Sequence, residues 1–382
     1  MSEFSTVDHR YMAHAIQLAK RGLYTTDPNP RVGCVVVRFD GSDEGRVVGE
    51  GYHERAGEPH AEIHALKAAG SAAQGATAYV TLEPCSHTGR TGPCAVALAQ
   101  AGVARVVVAM KDPNPQVSGG GIEHLKTAGI KVQVGLLEAD ARALNPGFIS
   151  RMERQRPFVR LKMAMSLDGR TAMGSGESQW ITGPQARTQV QRLRARSSAI
   201  LSGVESVIMD DSRLTLRADQ LALANADDIV QRQPLRVILD SRLRLPLAAA
   251  CLREPGRTLI ITTDQHSEEK RRKLAAAGAE IKVLPADADR IALADMLRWL
   301  AENEQVNELL VETGATLAGA LLEANLVDEL QLFVAPTLLG GEARPLFALP
   351  GITQMADQKR LTIKESRTVG QDWWIIATPH AD

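Results

Sequence analysis

Cysteines, aromatic residues and an excess of one charge sign are all scarce in this chain of 382 residues. Aromatic residues make up 4% of the sequence, and four cysteines are too few for a disulfide framework at this length. The formal net charge at pH 7 is −1, so the broad basic surface typical of nucleic-acid-binding proteins is not expected. No apolar run approaches the length of a membrane-spanning helix, and the N-terminus lacks the apolar block of a signal peptide. We therefore expect a cytoplasmic protein with reduced thiols that binds neither nucleic acid nor a membrane.

Length and patterning predict two α/β domains. A chain of 382 residues exceeds what a single hydrophobic core usually supports. Strand-like and helix-like segments alternate in both halves, which indicates sheets covered by helices. A Pro-Gly turn, a basic helical segment and Pro157 follow one another around 148–156, so we place the boundary there, with domains at 1–150 and 151–382. Near the C-terminus, LQLFVAP, RLTIKES and DWWIIAT predict strands of an antiparallel edge. Residues 218–233 predict a surface loop.

The first half contains one histidine, one glutamate and two cysteines in a spacing that suits a metal site. HAE places His60 and Glu62 at the start of a predicted helix, and PCSHTGRTGPC places Cys85 at a turn and Cys94 at a second helix start. One imidazole and two thiolates with an open fourth position form a catalytic arrangement for Zn²⁺, because a bound water can then be activated. Glu62 is left to transfer protons, as in zinc deaminases. Those enzymes usually have P-C-x-x-C, whereas eight residues separate these two cysteines.

Other polar residues nearby leave alternatives open. His64 follows His60 by one helical turn and competes as a ligand, although a solvent-facing or supporting role is commoner. Asn29, between two prolines in TTDPNPRVG, suits either a fixed side-chain contact or an Asx turn. Cys34 lies within the strand-like VGCVVV and is expected in the core. Cys251 carries no further signal.

The first half resembles the deaminase half of bifunctional riboflavin-biosynthesis proteins. The matching stretches are TTDPNPRVGCVVV, GYHERAGEPHAE, AYVTLEPCSHTGRTGPC and MKDPNP, and the long interval between the cysteines belongs to that family's pattern. Gly92 stands where the family more often has proline. The resemblance implies a cytidine-deaminase-like three-layer fold, zinc binding and proton transfer by a glutamate. It assigns zinc to His60, Cys85 and Cys94, proton transfer to Glu62, and pyrimidine or ribose-phosphate contacts to Asn29, His53, His87 and Arg90.

The second half lacks a G-x-G-x-x-G after its first strand, so an ordinary Rossmann site is not supported. VETGATLAGALLEAN instead runs a strand into Gly314 at a helix start, where free N–H groups attract anions. Plain packing of small residues is the alternative explanation of this run. KMAMSLDGRTA, SGESQWITG, LRARSSAILSG, MDDSRLTLR and VETGATLAGALLEANLVDELQLFVAPTLLG match the reductase half of the same family. That resemblance implies a dihydrofolate-reductase-like fold and NADPH.

The resemblance also implies two sets of binding residues in the second half. The dinucleotide set comprises Ala164, Trp180, Ser206, Asp210, Ser241, Gly314, Ala315, Thr316, Leu317, Ala318, Gly319 and Ala320. The substrate set comprises Lys162, Ser178, Arg194, Leu214, Arg217 and Glu312. Arg194 and Arg217 suit the substrate phosphate. A carboxyl group such as Asp210 or Glu312, or a water, would supply a proton.

Together the halves predict a homo-oligomeric enzyme that performs two consecutive steps. The first is zinc-dependent hydrolytic deamination of 2,5-diamino-6-(5-phosphoribosylamino)pyrimidin-4-one. The second is NADPH-dependent reduction of the ribosyl side chain of 5-amino-6-(5-phosphoribosylamino)uracil to ribityl. One alternative is a nucleobase or nucleic-acid deaminase with an accessory domain, for which a tight P-C-x-x-C and, with RNA, a basic surface are expected. Another is a non-catalytic NADP- or metabolite-sensing protein, which would lose site residues.

Overall fold

The chain divides into two compact units, Met1–Gln155 and Arg156–Asp382. The structure, a computed structural model, describes residues 4–86, 92–115, 117–287 and 290–380. The expected limit at position 150 lies inside a helix, Pro146–Arg154, which packs into the core of the first unit through Phe148 and Ile149. In the described ranges we find no helix whose length and apolar character would let it span a bilayer.

The first unit alternates helices with a five-stranded sheet. Its helices are α1 (Thr6–Ala19), α2 (Ala61–Ala69), α3 (Cys94–Gln100), α4 (Gly120–Thr127), α5 (Glu138–Leu144) and α6 (Pro146–Arg154), with 3₁₀ turns at Lys20–Gly22 and Gly70–Ala73. Its strands are β1 (Gly33–Arg38), β2 (Arg46–Tyr52), β3 (Thr77–Val80), β4 (Arg105–Val108) and β5 (Lys131–Val134). The sheet order is β2-β1-β3-β4-β5. β1 is antiparallel to both neighbours, whereas β3, β4 and β5 are parallel.

Alternation of side chains along β1 builds a core on each face of this sheet. Cys34 and Val36 pack with α2, α3 and α4, while Val35 and Val37 pack with α1, α5 and α6. The unit is therefore a three-layer α/β/α structure. β3 ends at Val80, so Cys85 lies in a non-repetitive segment.

The second unit contains a larger mixed sheet. Its helices are α7 (Pro184–Arg196), α8 (Val204–Asp210), α9 (Ala218–Leu221), α10 (Ala226–Ile229), α11 (Glu268–Ala276), α12 (Leu293–Asn303) and α13 (Ala315–Glu323), with 3₁₀ turns at Ala250–Leu252 and Met355–Asp357. Its strands are β6 (Phe158–Ser166), β7 (Arg170–Ala172), β8 (Ala199–Gly203), β9 (Leu235–Leu239), β10 (Thr258–Thr262), β11 (Ala279–Val283), β12 (Ala286–Asp287), β13 (Arg290–Ile291), β14 (Glu308–Glu312), β15 (Glu329–Ala335), β16 (Arg344–Pro345), β17 (Leu361–Val369) and β18 (Asp372–Pro379).

The main sheet of this unit has the order β11-β10-β9-β8-β14-β6-β15-β18-β17. The strands from β11 to β15 are parallel, and β18 and β17 are antiparallel to their neighbours. The sequence predicted β15 as part of an antiparallel edge. This is correct for its pairing with β18 and wrong for its pairing with β6, which is parallel. The helical crossover through α13 returns the chain in the same direction, whereas the short connection between β17 and β18 reverses it.

The segment 218–233 is not the plain surface loop that the sequence predicts. It contains α9 and α10, whose Leu221 and Ile229 are buried. The Gln233 side chain accepts a hydrogen bond from the Leu216 N–H over 2.9 Å. The segment is therefore held against the rest of the second unit by two buried apolar side chains and by this hydrogen bond.

Candidate active sites

Three ligand-type side chains converge in the first unit. His60 occupies the N-cap position of α2 with an extended backbone, and Cys94 is the first residue of α3. Nδ1 of His60 lies 3.3 Å from Sγ of Cys94 and 3.6 Å from Sγ of Cys85, and the ligand atoms of all three lie within 4.8 Å of one another. Tetrahedral zinc separates neighbouring ligand atoms by about 3.6 Å, and His and Cys are its preferred ligands. The donor set and its spacing therefore fit zinc.

The two thiols of this cluster shift each other's pKa in opposite directions. The Cys94 N–H donates to Sγ of Cys85 over 3.3 Å. Hydrogen bonding from Cys94, together with that from His60, outweighs burial and lowers the pKa of Cys85 to about 4. The hydrogen bond with Cys85, with burial, raises the pKa of Cys94. Of the two side chains, Cys85 is therefore the one that favours the thiolate form. A bound cation would favour release of the Cys94 proton as well.

Glu62 lies beside the cluster in the first turn of α2. Its side chain is buried, and this burial raises its pKa from 4.5 to about 7, although the charge of His60 opposes the rise. A carboxyl group that titrates near neutrality can both accept and donate a proton at physiological pH. Glu62 therefore has the position and the acidity of a proton-transfer group.

His53 holds Asn29 in a defined orientation. Nδ1 of the buried His53 lies 3.2 Å from the Pro59 carbonyl oxygen, and Nε2 lies 3.1 Å from Nδ2 of Asn29. These contacts fit the neutral ring with its proton on Nδ1, so that Nε2 accepts a hydrogen bond from the Asn29 amide. Burial lowers the pKa of His53 and favours that neutral form. The contact with Nε2 of His53 therefore fixes the Asn29 amide with Nδ2 towards the ring.

Other sequence-predicted residues of the first unit have different outcomes. His64 contributes no atom to the ligand cluster found among the described residues. Cys34 is buried in the core as predicted, and Cys251 is buried in a core of the second unit. His87 and Arg90 lie outside the described residues, so their contacts stay predictions. Glu83 is a buried residue that the zinc motif does not single out; a carboxylate directly before Pro-Cys is the signal that could have found it.

Part of the predicted substrate set of the second unit comes together at the carboxyl end of β14. Lys162 on β6 and Glu312 on β14 are register partners. Arg194 from α7 donates from Nε to Oε1 of Glu312 over 2.6 Å and from Nη2 to Oε2 over 3.0 Å. Its Nη1 also donates to the Thr215 carbonyl over 3.0 Å. The bidentate pair fixes both side chains.

The charges of this group determine which member can supply a proton. Burial alone would raise the pKa of Glu312, but the charge and hydrogen bonds of Arg194, with Lys162 and Arg217, hold it below 4.5. Burial lowers the pKa of Lys162, although Glu312 opposes that shift. Glu312 therefore stays ionised at neutral pH and is a poor acid, which disfavours one of the two carboxyl donors considered from sequence.

The predicted phosphate cradle at α13 has an exposed and a buried part. Gly314 precedes the helix, and its N–H donates to Oγ of Ser206 over 3.0 Å. Thr316 is exposed as well. Ala318 and Gly319 are buried, and a Cβ built at Gly319 would lie 1.8 Å from the Ala348 carbonyl oxygen. Packing therefore explains Ala318 and Gly319, whereas Gly314 and Thr316 at the helix start are exposed.

Four further members of the predicted dinucleotide and substrate sets are described by their exposure or by their hydrogen bonds. Oγ of Ser178 donates to Oδ1 of Asp210 over 2.9 Å. Trp180 is 69% exposed, which is unusual for so large a ring and offers a stacking surface. Ser241 follows β9, and its carbonyl accepts from Oγ1 of Thr263 over 3.0 Å.

Two residues of the predicted sets, Ala164 and Leu214, have side chains that pack against a hydrophobic core. Leu214 has a left-handed backbone with φ 53° and a buried side chain in the core that contains Val204 and Ile238. Ala164 is half-buried on β6 and packs against the cluster that contains Phe333. Any ligand contact of Leu214 would therefore come from its backbone.

Family comparisons agree with the geometry of both units. Residues 5–110 match the cytidine and deoxycytidylate deaminase zinc-binding region, and residues 157–375 match the RibD C-terminal domain. The chain thus combines a zinc-dependent deaminase with a reductase of dihydrofolate-reductase-like fold.

Individual relatives match over nearly the whole length. The riboflavin biosynthesis protein RibD of Escherichia coli is 50% identical over 370 residues, which cover 96% of this chain and 97% of that protein. The solved structure of Acinetobacter baumannii RibD is 46% identical, with a TM-score of 0.89 and coverage of 98% and 99%. A diaminohydroxyphosphoribosylaminopyrimidine deaminase/5-amino-6-(5-phosphoribosylamino)uracil reductase from Thermotoga maritima is 32% identical, with a TM-score of 0.82 and coverage of 98% and 99%.

The chain belongs to the RibD family of riboflavin-biosynthesis proteins. It is a bifunctional enzyme with zinc-dependent deaminase and NADPH-dependent reductase activities. The predicted fold class, enzyme class and cofactors are therefore confirmed.

Proposed function

We propose that the first unit deaminates 2,5-diamino-6-(5-phosphoribosylamino)pyrimidin-4-one. We further propose that the second unit reduces the ribosyl side chain of 5-amino-6-(5-phosphoribosylamino)uracil to ribityl with NADPH. The observation that carries this proposal is the convergence of His60, Cys85 and Cys94 beside the buried Glu62. The name of the Thermotoga maritima relative, which specifies both steps, supports the choice of substrates.

In the first step, His60, Cys85 and Cys94 would hold the zinc ion. Bound zinc supplies a Lewis acid that lowers the pKa of water at its open position. Glu62 would transfer two protons in turn, which its pKa near neutrality allows. It takes the first proton from the attacking water and gives it to the ring nitrogen. It then carries the proton of the added hydroxyl group to the amino group, so that the carbonyl forms as the C–N bond breaks and ammonia leaves.

Substrate positioning in the first step falls to side chains around the metal ligands. Asn29, oriented by His53, offers Oδ1 to a donor group of the pyrimidine. We assign His87 and Arg90, between the two cysteines, to the ribose phosphate, because an arginine fork suits phosphate oxygens.

In the second step, NADPH supplies the hydride. We assign the dinucleotide to the predicted set Ala164, Trp180, Ser206, Asp210, Ser241 and the run from Gly314 to Ala320. We assign the phosphorylated pyrimidine to Ser178, Arg194, Leu214, Arg217 and Glu312, with Lys162 as proton donor. The half-buried ammonium of Lys162 has a lowered pKa, which makes it a better acid than an exposed lysine.

We also infer a homo-oligomer in the cytoplasm that does not bind nucleic acid. The net charge of −1 supports the last point. Light scattering that gives the mass of one chain would contradict the oligomer, and a gel shift with RNA would contradict the absence of nucleic-acid binding.

The deaminase assignment is tested in the full-length, zinc-loaded chain with Glu62→Gln. We expect deamination to fall by about 10²–10⁴-fold, the usual contribution of a general acid–base group. Zinc content should stay unchanged, and so should NADPH oxidation with the deaminated pyrimidine. Glu58→Gln, at an exposed glutamate four residues earlier, is the matched control and should leave both activities intact.

Two outcomes would contradict the proposal. Deamination at the wild-type rate by Glu62→Gln would remove Glu62 from the mechanism. Failure of the wild-type chain to oxidise NADPH with the deaminated pyrimidine would remove the proposed second step.

A further inference from the structure

Glu83 lies two residues before Cys85 and is buried, yet it takes no part in the deaminase chemistry described above. Its carboxylate accepts hydrogen bonds from four backbone N–H groups. Oε2 accepts from Asp112 over 3.2 Å and Gly119 over 3.0 Å, and Oε1 accepts from Gly121 over 3.0 Å and Ile122 over 3.3 Å.

These four donors belong to one stretch of chain, 112–122, which leads from β4 into the first turn of α4. A buried carboxylate is costly unless hydrogen bonds replace its water. Backbone N–H groups at a helix start lack partners within their own helix, so they suit this purpose. The side chain of Glu83 therefore ties the segment before Cys85 to the start of α4.

Direct backbone packing reinforces the same connection. A Cβ built at Gly121 would lie 1.8 Å from the Pro84 carbonyl oxygen, and one built at Gly120 would lie 2.7 Å from Oγ of Ser86. The start of α4 thus lies flush against residues 84–86. Only glycine permits an approach this close at position 121.

Cys85 is consequently held from two sides. β3 ends at Val80, so its strand pairing does not extend to Cys85. On one side, the Cys85 carbonyl accepts from the Ala95 N–H over 3.1 Å. On the other side, the Glu83 N–H donates to the Met110 carbonyl over 3.0 Å, and the Glu83 carboxylate binds the stretch 112–122.

We propose that Glu83 is a positioning residue that fixes the Cys85 thiolate at the distance from His60 and Cys94 that zinc requires. The inference rests on the proposed role of these three residues as zinc ligands. Glu83 acts through the backbone of residues 83–86 and contacts neither substrate nor metal.

The test uses Glu83→Gln in the full-length chain. Glutamine keeps the size of the side chain, but its NH₂ group would face two backbone N–H donors and cannot accept from them. We expect zinc affinity, measured by competition with a chromogenic chelator, to fall by about 10–100-fold, as for other residues that support metal ligands. The absorption spectrum of the cobalt(II)-substituted chain should shift as well, because it reports ligand geometry.

Glu123→Gln provides the matched control. Glu123 is exposed on the same turn of α4, so its substitution removes an equal charge and should change neither zinc affinity nor the cobalt spectrum. Wild-type NADPH oxidation by the second unit shows in each variant that the chain has been made intact.

Wild-type zinc affinity and an unchanged cobalt spectrum in Glu83→Gln would overturn the proposal. If Glu83→Gln does not fold, hydrogen exchange of the wild-type chain decides the question. Zinc binding should slow exchange of the Gly119, Gly121 and Ile122 amides, because their acceptor is tied to Cys85. Unchanged exchange would refute the role of Glu83, whereas unchanged zinc affinity in Cys85→Ser would instead refute the proposed ligand set.

Discussion

Glu62 should destabilise the zinc-free first unit, so Glu62→Gln should stabilise that unit while it slows deamination by about 10²–10⁴-fold. The carboxyl group is buried, and burial raises its pKa from 4.5 to about 7. The folded state therefore binds this proton more tightly than the unfolded state does. With respect to this group, stability is highest below pH 4.5 and falls as the pH rises towards 7; above pH 7 the full penalty applies.

The size of this destabilisation follows from the rise in the pKa of Glu62. At ~1.36 kcal/mol per pH unit, the raised pKa of Glu62 lowers the free energy of unfolding by about 3 kcal/mol at pH 8. The cost falls below about 1 kcal/mol at pH 5, where the folded carboxyl group is mostly protonated. Glutamine has nearly the same shape and no charge. We therefore expect zinc-free Glu62→Gln to exceed the zinc-free wild type by about 3 kcal/mol in free energy of unfolding at pH 8, and by much less at pH 5.

The aromatic residues provide an assay that separates the units. The four tryptophans, Trp180, Trp299, Trp373 and Trp374, all belong to the second unit. Urea unfolding followed by tryptophan fluorescence therefore reports the second unit, and far-ultraviolet circular dichroism reports both. We expect Glu62→Gln to move only a transition that circular dichroism detects and fluorescence does not.

Two results would refute this reasoning. Equal stability of the zinc-free wild type and Glu62→Gln at pH 8 would show that the buried carboxylate carries no penalty. An increase of the same size at pH 5 and pH 8 would assign the effect to packing, because only an ionising group produces a pH dependence.

Three further predictions concern zinc and the core of the second unit. Removal of zinc with a chelator should abolish deamination and leave NADPH oxidation unchanged; loss of both activities would contradict separate cofactor requirements. Gly319→Ala should destabilise the second unit by about 1–3 kcal/mol, because its Cβ would lie 1.8 Å from the Ala348 carbonyl oxygen. Gly341→Ala is its control in tryptophan-detected unfolding, because no atom of the described residues lies within 4 Å of a Cβ built there; equal effects would refute the steric argument. Arg160→Met should cost about 3–5 kcal/mol in the same assay, because it leaves the buried Glu308 carboxylate without its buried partner; an unchanged midpoint would contradict this.

The zinc set was predictable because its information is local. His60 and Cys94 each stand at a helix start, and Cys85 follows a proline. A histidine and two cysteines at such positions restrict the metal by chemistry alone, and Glu62 was left without another role. The structure brings His60, Cys85 and Cys94 within 4.8 Å of one another.

Supporting contacts could not be predicted, because their partners are distant along the chain. Arg194 and Glu312 are 118 residues apart, yet they form a bidentate pair that leaves Glu312 ionised. His53 could be assigned to the site from its motif, but its pairing with Asn29 depends on how β2 and the residues before β1 meet. The place of Glu83 directly before Pro-Cys marks it in the sequence, but its backbone donors lie 29 to 39 residues away.

Sequence alone determined the residue chemistry, the local elements and, through resemblance to a family, the enzyme class. Those properties depend on side-chain identity, apolar periodicity and short spacings, all of which can be read directly from the sequence. Tertiary structure alone decided that β15 runs parallel to β6, that Gly319 serves packing and that burial raises the pKa of Glu62. Each of these depends on neighbours brought together by folding, because burial, register and charge proximity are properties of the assembled chain.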